Sequence, residues 1–324
     1  MSDVIDTLLL LALPASGKSE VRKYLEQLSP EKCRADFGVG PNVQLDDFPY
    51  VHFLRRVDDV LEKLGRARLF YHGPERGFRE GRDWGTLIEL VNQDREALET
   101  RPAVPPKGAR GKQLLARIDE AGMKAGIKPR LAALDGKTRT AVAEALDHEA
   151  GDLLRGLAEA RPESLKGRTI VIEFARGGPE GSTMPLSAPF GYAWSLAMLS
   201  PRILERASVL YIWVTPEESR RKNVARANPD DPGSILHHGV PEPVMRGDYG
   251  CDDVEWLLGQ SDRPGSIRIA AHGKTWYLPL ARLDNRVDRT SFIRADPKKW
   301  APADVKTLHD GLREAFAALL ASRR

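Results

Sequence analysis

Cysteine is nearly absent from this 324-residue chain. The two that occur, Cys33 and Cys251, are far apart and give neither a disulfide framework nor metal-ligand spacing, which fits a reducing compartment. Aromatic residues are scarce, at 7%. Long apolar runs are missing as well: the stretch 8–13 falls far short of the ~20 residues that span a bilayer. Residues 1–7 carry no basic side chain, so no secretory leader is expected. Net charge is only +3, and the overall field therefore points to no partner. No internal repeat is present. These absences exclude a membrane-spanning protein and a disulfide-stapled secreted scaffold. With 41% hydrophobic and 29% charged residues, the expectation is a soluble cytoplasmic chain with one elaborated domain or two.

The most informative stretch that is present is Leu8-Leu9-Leu10-Leu11-Ala12-Leu13-Pro14-Ala15-Ser16-Gly17-Lys18-Ser19. A buried-type strand feeds a short loop that ends in Gly-Lys-Ser at the mouth of a helix striped by Val21, Leu25 and Leu28. This is the layout of a phosphate-binding P-loop. In such a loop successive backbone N–H groups and the helix N-terminus cradle phosphate oxygens. Leu13, Pro14, Ala15, Ser16, Gly17, Lys18 and Ser19 are then the nucleotide-binding residues. Lys18 would reach the β- and γ-phosphates, and the Ser19 hydroxyl would ligate Mg²⁺. Ala12 departs from the pattern, standing where glycine is usual. Ser29-Pro30 ends the helix.

Unalternated apolar runs at 169–174 and 209–214 predict further strands covered on both faces. Weaker strands are expected at 42–45 and 67–71, and a late hairpin at 267–271 and 275–278 around His272-Gly273-Lys274. Helical stripes are Leu54/Val57/Leu61/Leu64, Leu87/Ile88/Val91/Leu98, Val142/Leu146/Ala150/Leu153/Leu157 and Val305/Leu308/Leu312/Phe316/Leu319, the last opened by Pro302. The alternation predicts an α/β fold, a P-loop parallel sheet flanked by helices. Residues 1–100 and 167–285 form its core, 101–166 a basic helical insertion, and 286–324 a C-terminal helical segment. Residues 101–139 hold ten Lys/Arg against three Asp/Glu, a local net of +7. A nucleic-acid clamp through 107–139 is one reading of that charge. No aromatic interleaves it, which favours a solvated helical face.

Three further clusters carry chemistry. Asp46-Asp47-Phe48-Pro49-Tyr50 follows the second strand, where ligand-binding residues of parallel sheets collect. A carboxylate there can take a proton from an acceptor hydroxyl, whereas the bland role is a turn or helix cap. The strand 169–174 ends in Glu173, an acid placed to hold Mg²⁺, and Arg176 follows in a glycine-rich loop. After the strand 209–214, Pro216-Glu217-Glu218 starts a helix carrying Arg220, Arg221, Lys222 and Arg226, whose guanidinium groups could stabilise a transferring phosphoryl group. His237-His238 sits in a Pro/Gly-rich loop suited to gating and lacks a third ligand at metal spacing. Asp252-Asp253 reads as a helix cap and Trp213 as core.

Together these motifs resemble P-loop kinases of the nucleoside and nucleotide kinase type. Residues 12–19 are similar to their phosphate loop. Asp46-Asp47-Phe48-Pro49-Tyr50 resembles the Asp-x-Phe-Tyr region of uridine kinase-like enzymes, with Pro49 inserted. Glu173 with Arg176 is similar to the acid-x-Arg element of deoxynucleoside kinases, one residue longer, and Pro216 to Arg226 look like the start of a lid. The resemblance spans about half the chain. It implies an ATP- and Mg²⁺-dependent transferase with a small hydroxyl-bearing or nucleoside-like acceptor. Lys18, Asp46, Asp47, Arg220 and Arg221 would be catalytic, Arg176 and Arg226 would join the nucleotide site, and Ser19 and Glu173 would hold the metal. The competing readings are a P-loop ATPase coupled to a conformational or nucleic-acid step and a non-catalytic nucleotide-binding protein. Acceptor identity and oligomeric state stay open.

Overall fold

The computed structural model describes residues 4–226 and 239–322. Six strands form one sheet in the order β2-β3-β1-β4-β6-β5. They are β1 (Thr7–Leu11), β2 (Asn42–Asp46), β3 (Thr169–Phe174), β4 (Ala207–Trp213), β5 (Ser266–Ala271) and β6 (Lys274–Asp284). Every pairing is parallel except the edge hairpin β5–β6. His272 and Gly273 turn that hairpin, both with positive φ (52° and 70°), as a two-residue loop between twisted strands requires.

The apolar runs do not alternate because both faces of the sheet are covered. Leu8 and Leu10 of β1 pack on one side with α1 (Lys18–Glu26), α2 (Pro30–Phe37) and the long C-terminal helix (Pro302–Ser322). Leu9 and Leu11 face the other side with the helix 83–100 and the segment around Tyr192 and Leu196. Residues 286–324 are thus tied into one layer of the sandwich through the terminal helix. Ser29 does more than stop α1: its hydroxyl accepts from the Lys32 N–H and caps α2.

Between β2 and β3 the chain builds a helical layer over the carboxyl ends of the strands. It comprises α3 (Phe48–Lys63), α4 (Asp83–Thr100), α5 (Arg110–Lys124), α6 (Gly136–Ala145) and α7 (Asp147–Glu159), with a shared core that includes Leu54, Leu87, Leu114 and Val142. The strand-free segment 101–166 is therefore part of a layer that begins at Phe48. The stripe 142–157 is split at Leu146 into two helices. Asp147 turns aside there and accepts the N–H groups of Gly108 and Gly111, at 2.7 and 3.1 Å.

The expected strand at 67–71 does not form. The buried Asp58 carboxylate on α3 accepts the N–H groups of Leu69, Phe70 and Tyr71, at 2.7, 3.1 and 2.8 Å, and those donors are lost to any ladder. The remaining helices are α8 (Gly191–Ala197), α9 (Pro201–Leu204), α10 (Pro216–Arg226), α11 (Glu242–Gly247) and α12 (Val254–Gly259), and the terminal helix is α13. Asp252 caps α12 through the Val254 N–H, whereas Asp253 caps α8 through Tyr192 and Ala193. Among the described residues no helix is long and apolar enough to cross a membrane.

Asp58→Ala strands three backbone donors at once. Each costs about 1–3 kcal/mol when left without a partner, so a loss of about 3 kcal/mol or more is expected in urea unfolding. Asp58→Asn, which keeps one acceptor oxygen, should lose less.

Candidate functional site

The loops after β1 and β3 leave adjacent strands toward opposite faces of the sheet, α1 on one side and α8 on the other. That is a topological switch point, where α/β sheets bind ligands. A cleft partly open to solvent lies there between the 12–19 loop and the helical layer.

The loop is held by its carbonyl groups. The Tyr192 hydroxyl donates to Ala12 O and accepts from Ala12 N–H, both at 2.9 Å. Ser16 Oγ donates to Leu13 O (2.5 Å), Ser219 Oγ to Pro14 O (2.7 Å) and Asn285 Nδ2 to Ser16 O (2.7 Å). In contrast, the backbone N–H groups of Ala15, Ser16, Gly17, Lys18 and Ser19 donate to no other group among the described residues. Ala15 (φ 56°) and Gly17 (φ 106°) take left-handed conformations, which turn successive N–H groups to one side. Ala12 needs no such conformation, so the missing glycine adds no backbone strain at that position. At Gly17 no Cβ fits: it would lie 2.4 Å from Thr290 Oγ1.

Cations and anions face each other across the cleft. The buried Lys18 ammonium donates to Ala12 O and Leu13 O, at 3.3 and 3.4 Å. Burial pulls its pKa down, opposed by the nearby Glu173, Asp46 and Asp47. Arg226 lines the same cleft, and its Nε has no hydrogen-bond partner among the described residues. Glu173 accepts from Ser19 Oγ at 3.2 Å and from Arg22 Nη1 at 3.1 Å. Among the described residues no group of three or more His, Cys, Asp and Glu side chains gathers as a metal site. The Ser19–Glu173 pair offers two hard oxygen donors, which suits a Mg²⁺ that takes its other ligands from phosphate and water.

The two aspartates separate by environment. Asp46 lines the cleft, its Oδ1 accepts the Phe48 N–H at 2.8 Å, and Arg22 stands 3.7 Å from its Oδ2. Burial, with Glu173 and Asp47 adding to it, pushes its pKa well above the usual carboxylate range. Asp47 also borders the cleft but is bound to Arg176 Nη1 at 2.7 Å. Arg176 is itself buried, with Nη2 donating to Trp84 O at 3.2 Å and its carbon over the Trp84 ring. Arg176 therefore anchors Asp47 and the helical layer to the loop after β3.

Arg220 and Arg221 do not line the cleft. Arg220 faces Glu180 at 3.3 Å, and Arg221 is clamped by Glu218 at 2.7 Å. His237-His238 lie outside the described residues. Trp213 is only half-buried, with the Arg282 and Arg286 guanidinium groups over its ring. In the basic segment, Arg117 and Arg130 form ion pairs with the buried Asp94 and Asp83, at 2.8 and 2.5 Å, and Lys124 pairs with Glu120. The first two pairs, to acids outside the segment, consume part of the +7 inside the helical layer.

Sequence reasoning missed Arg22, although its place one turn after Lys18 on α1 signals it. It also missed Tyr192, Ser219 and Asn285, which carry no local signal. Tyr192→Phe removes the hydroxyl that holds Ala12. Nucleotide affinity should fall about tenfold, the worth of one to two hydrogen bonds, while thermal unfolding shows the sheet intact. Equal affinity in both proteins would show that the loop keeps its shape without this tie. No family model matches the chain, and no curated protein matches it.

Proposed function

We propose that this chain is an ATP- and Mg²⁺-dependent phosphotransferase acting on a small hydroxyl-bearing acceptor. One observation carries the reading: a loop with side chains on its carbonyls and five N–H groups without acceptors among the described residues borders a cleft that also holds Lys18 and Arg226. An anion with several oxygens, such as a nucleotide polyphosphate, satisfies all of these donors together.

The residues divide the work as follows. The loop N–H groups and Lys18 bind the β- and γ-phosphates, and Arg226 meets charge developing on the transferred group. Ser19 and Glu173 would hold Mg²⁺, which neutralises phosphate charge when bound. Asp46 orients the acceptor hydroxyl and accepts its proton as the oxygen attacks the γ-phosphorus and the bond to the ADP oxygen breaks. Asp47, tied to Arg176, holds the start of α3 so that Asp46 points into the cleft. Arg22 spans Glu173 and Asp46 and keeps the two carboxylates apart.

A P-loop ATPase would use the same phosphate end. The wall built by α3 and α4 favours a transferase, because simple hydrolysis needs no second compartment. Acceptor-dependent ADP release across alcohols, nucleosides and sugars tests the choice. Turnover independent of any acceptor would support the ATPase.

Lys18→Ala should sharply weaken ATP binding or turnover, and parental ATP use by this variant would remove the reading's foundation. Asp46→Asn should keep Mg·ATP binding while transfer falls roughly 10²–10⁴-fold. Asp47→Asn leaves Arg176 with a neutral partner and should show mainly as lower stability on thermal unfolding. A variant at Asp46 with near-parental transfer would shift the base elsewhere.

A further inference from the structure

Beyond the phosphate end the cleft changes character. Although only 7% of the chain is aromatic, Phe48, Tyr71, Phe78, Trp84 and Tyr249 all line it. Four of these rings form a continuous wall. Tyr71 stacks on Phe78 with centroids 4.5 Å apart, Phe78 meets Trp84 edge-on at 4.9 Å, and Trp84 meets Tyr249 at 5.5 Å. Such a wall offers few polar groups, the Tyr249 hydroxyl and the Trp84 indole N–H among them, so most hydroxyls of a polyol would lose hydration against it. It suits the face or edge of another ring.

At the far end stand one cation and one anion. Arg55 is committed: its guanidinium lies 3.9 Å over the Tyr71 ring and donates to Pro74 O and Arg76 O. The Asp248 carboxyl is not. Its Oδ2 is shielded from solvent and has no hydrogen-bond partner among the described residues. It packs against Gly77, where a Cβ would come within 2.7 Å of that oxygen. Burial raises its pKa to about 6, against the pull of Arg55. Because Oδ2 is closed off by Gly77, the oxygen a ligand can reach is Oδ1, a hydrogen-bond acceptor with no partner among the described residues of this cleft.

We propose that the cleft selects a flat, ring-bearing alcohol whose far edge offers an N–H donor to Asp248. The proposal rests on the phosphotransferase reading for its chemistry. The hydroxyl lies at Asp46, the ring against the aromatic wall, and the N–H group at Asp248. Asp248 is then a specificity-determining residue. It lies on the loop after α11, remote from the phosphate loop in the chain.

Direct binding separates this proposal from the reading beneath it. Calorimetric titration without nucleotide compares cytidine, 4-aminobenzyl alcohol and 4-(hydroxymethyl)benzamide with ribose, glycerol and inositol. At least one ring-bearing probe is expected to bind, and none of the polyols. Asp248→Asn should weaken that probe about tenfold or more, the worth of one charge-assisted hydrogen bond. In turnover assays the change should fall on the KM for the ring-bearing acceptor with little change in kcat. Circular dichroism checks folding of the variant, and Asp248→Glu, which keeps the carboxylate, should restore part of the affinity. Polyols bound in preference to rings, silence from every ring-bearing probe, or an unaltered affinity in a folded Asp248→Asn would overturn the proposal. Ring binding retained in a protein that fails to bind ATP would support the pocket while removing the phosphotransferase reading.

Discussion

The hydroxyl of Tyr192 is the point on which the site depends. It bonds to both backbone groups of Ala12 and accepts from the Arg176 N–H at 3.2 Å, joining the loops after β1 and β3. Its own position is set by Asp253, which caps α8 at the Tyr192 and Ala193 N–H groups. Because this tie and those of Ser219 and Asn285 occupy carbonyls, the loop cannot relax by turning its N–H groups inward. The loop N–H groups stay without acceptors among the described residues, a preorganisation that would otherwise have to be supplied by a ligand.

Electrostatics then sort the acids around this frame. Asp47 and Asp46 are neighbours in sequence with different partners. Asp47 is locked to a buried guanidinium, so its charge is balanced within the protein. Asp46 lies in a dry region beside Glu173, whose repulsion adds to burial in opposing the charge on Asp46, and Arg22 offsets part of that repulsion. A third charge brought between Asp46 and Glu173, as a metal ion or an attacking hydroxyl's proton, relieves that repulsion.

Much of this was legible in the chain because its cause is local. The Leu-rich run, Gly17-Lys18-Ser19 and the Val/Ile/Leu runs at 169–174 and 209–214 announce a parallel sheet with a loop at the switch point. The hairpin was readable from Gly273 between alternating residues. The strand expected at 67–71 failed because Asp58, more than ten residues away, takes its donors. The run 142–157 has a continuous stripe, and its break follows from Asp147 reaching to Gly108. Arg176 read as a phosphate contact because spacing reveals that a guanidinium follows Glu173 but not that Asp47 meets it. Tyr192, Ser219 and Asn285 come together only through the fold, and nothing at those positions alone distinguishes them from ordinary core or capping residues.

The excursion between β2 and β3 has a consequence for how such a protein can change. It leaves the sheet at Asp46 and returns to a strand whose residues pair in register with those of β2, so the helical layer can be altered without disturbing the ladder. The aromatic wall is largely borne by that excursion, at Tyr71, Phe78 and Trp84, whereas the 12–19 loop belongs to the strand beside β3. The aromatic end of the cleft and the 12–19 loop thus reside on separately mutable parts. Replacements along the excursion can reshape one end of the cleft while the loop and the ladder persist, which makes this layer the natural target for redesigning the pocket.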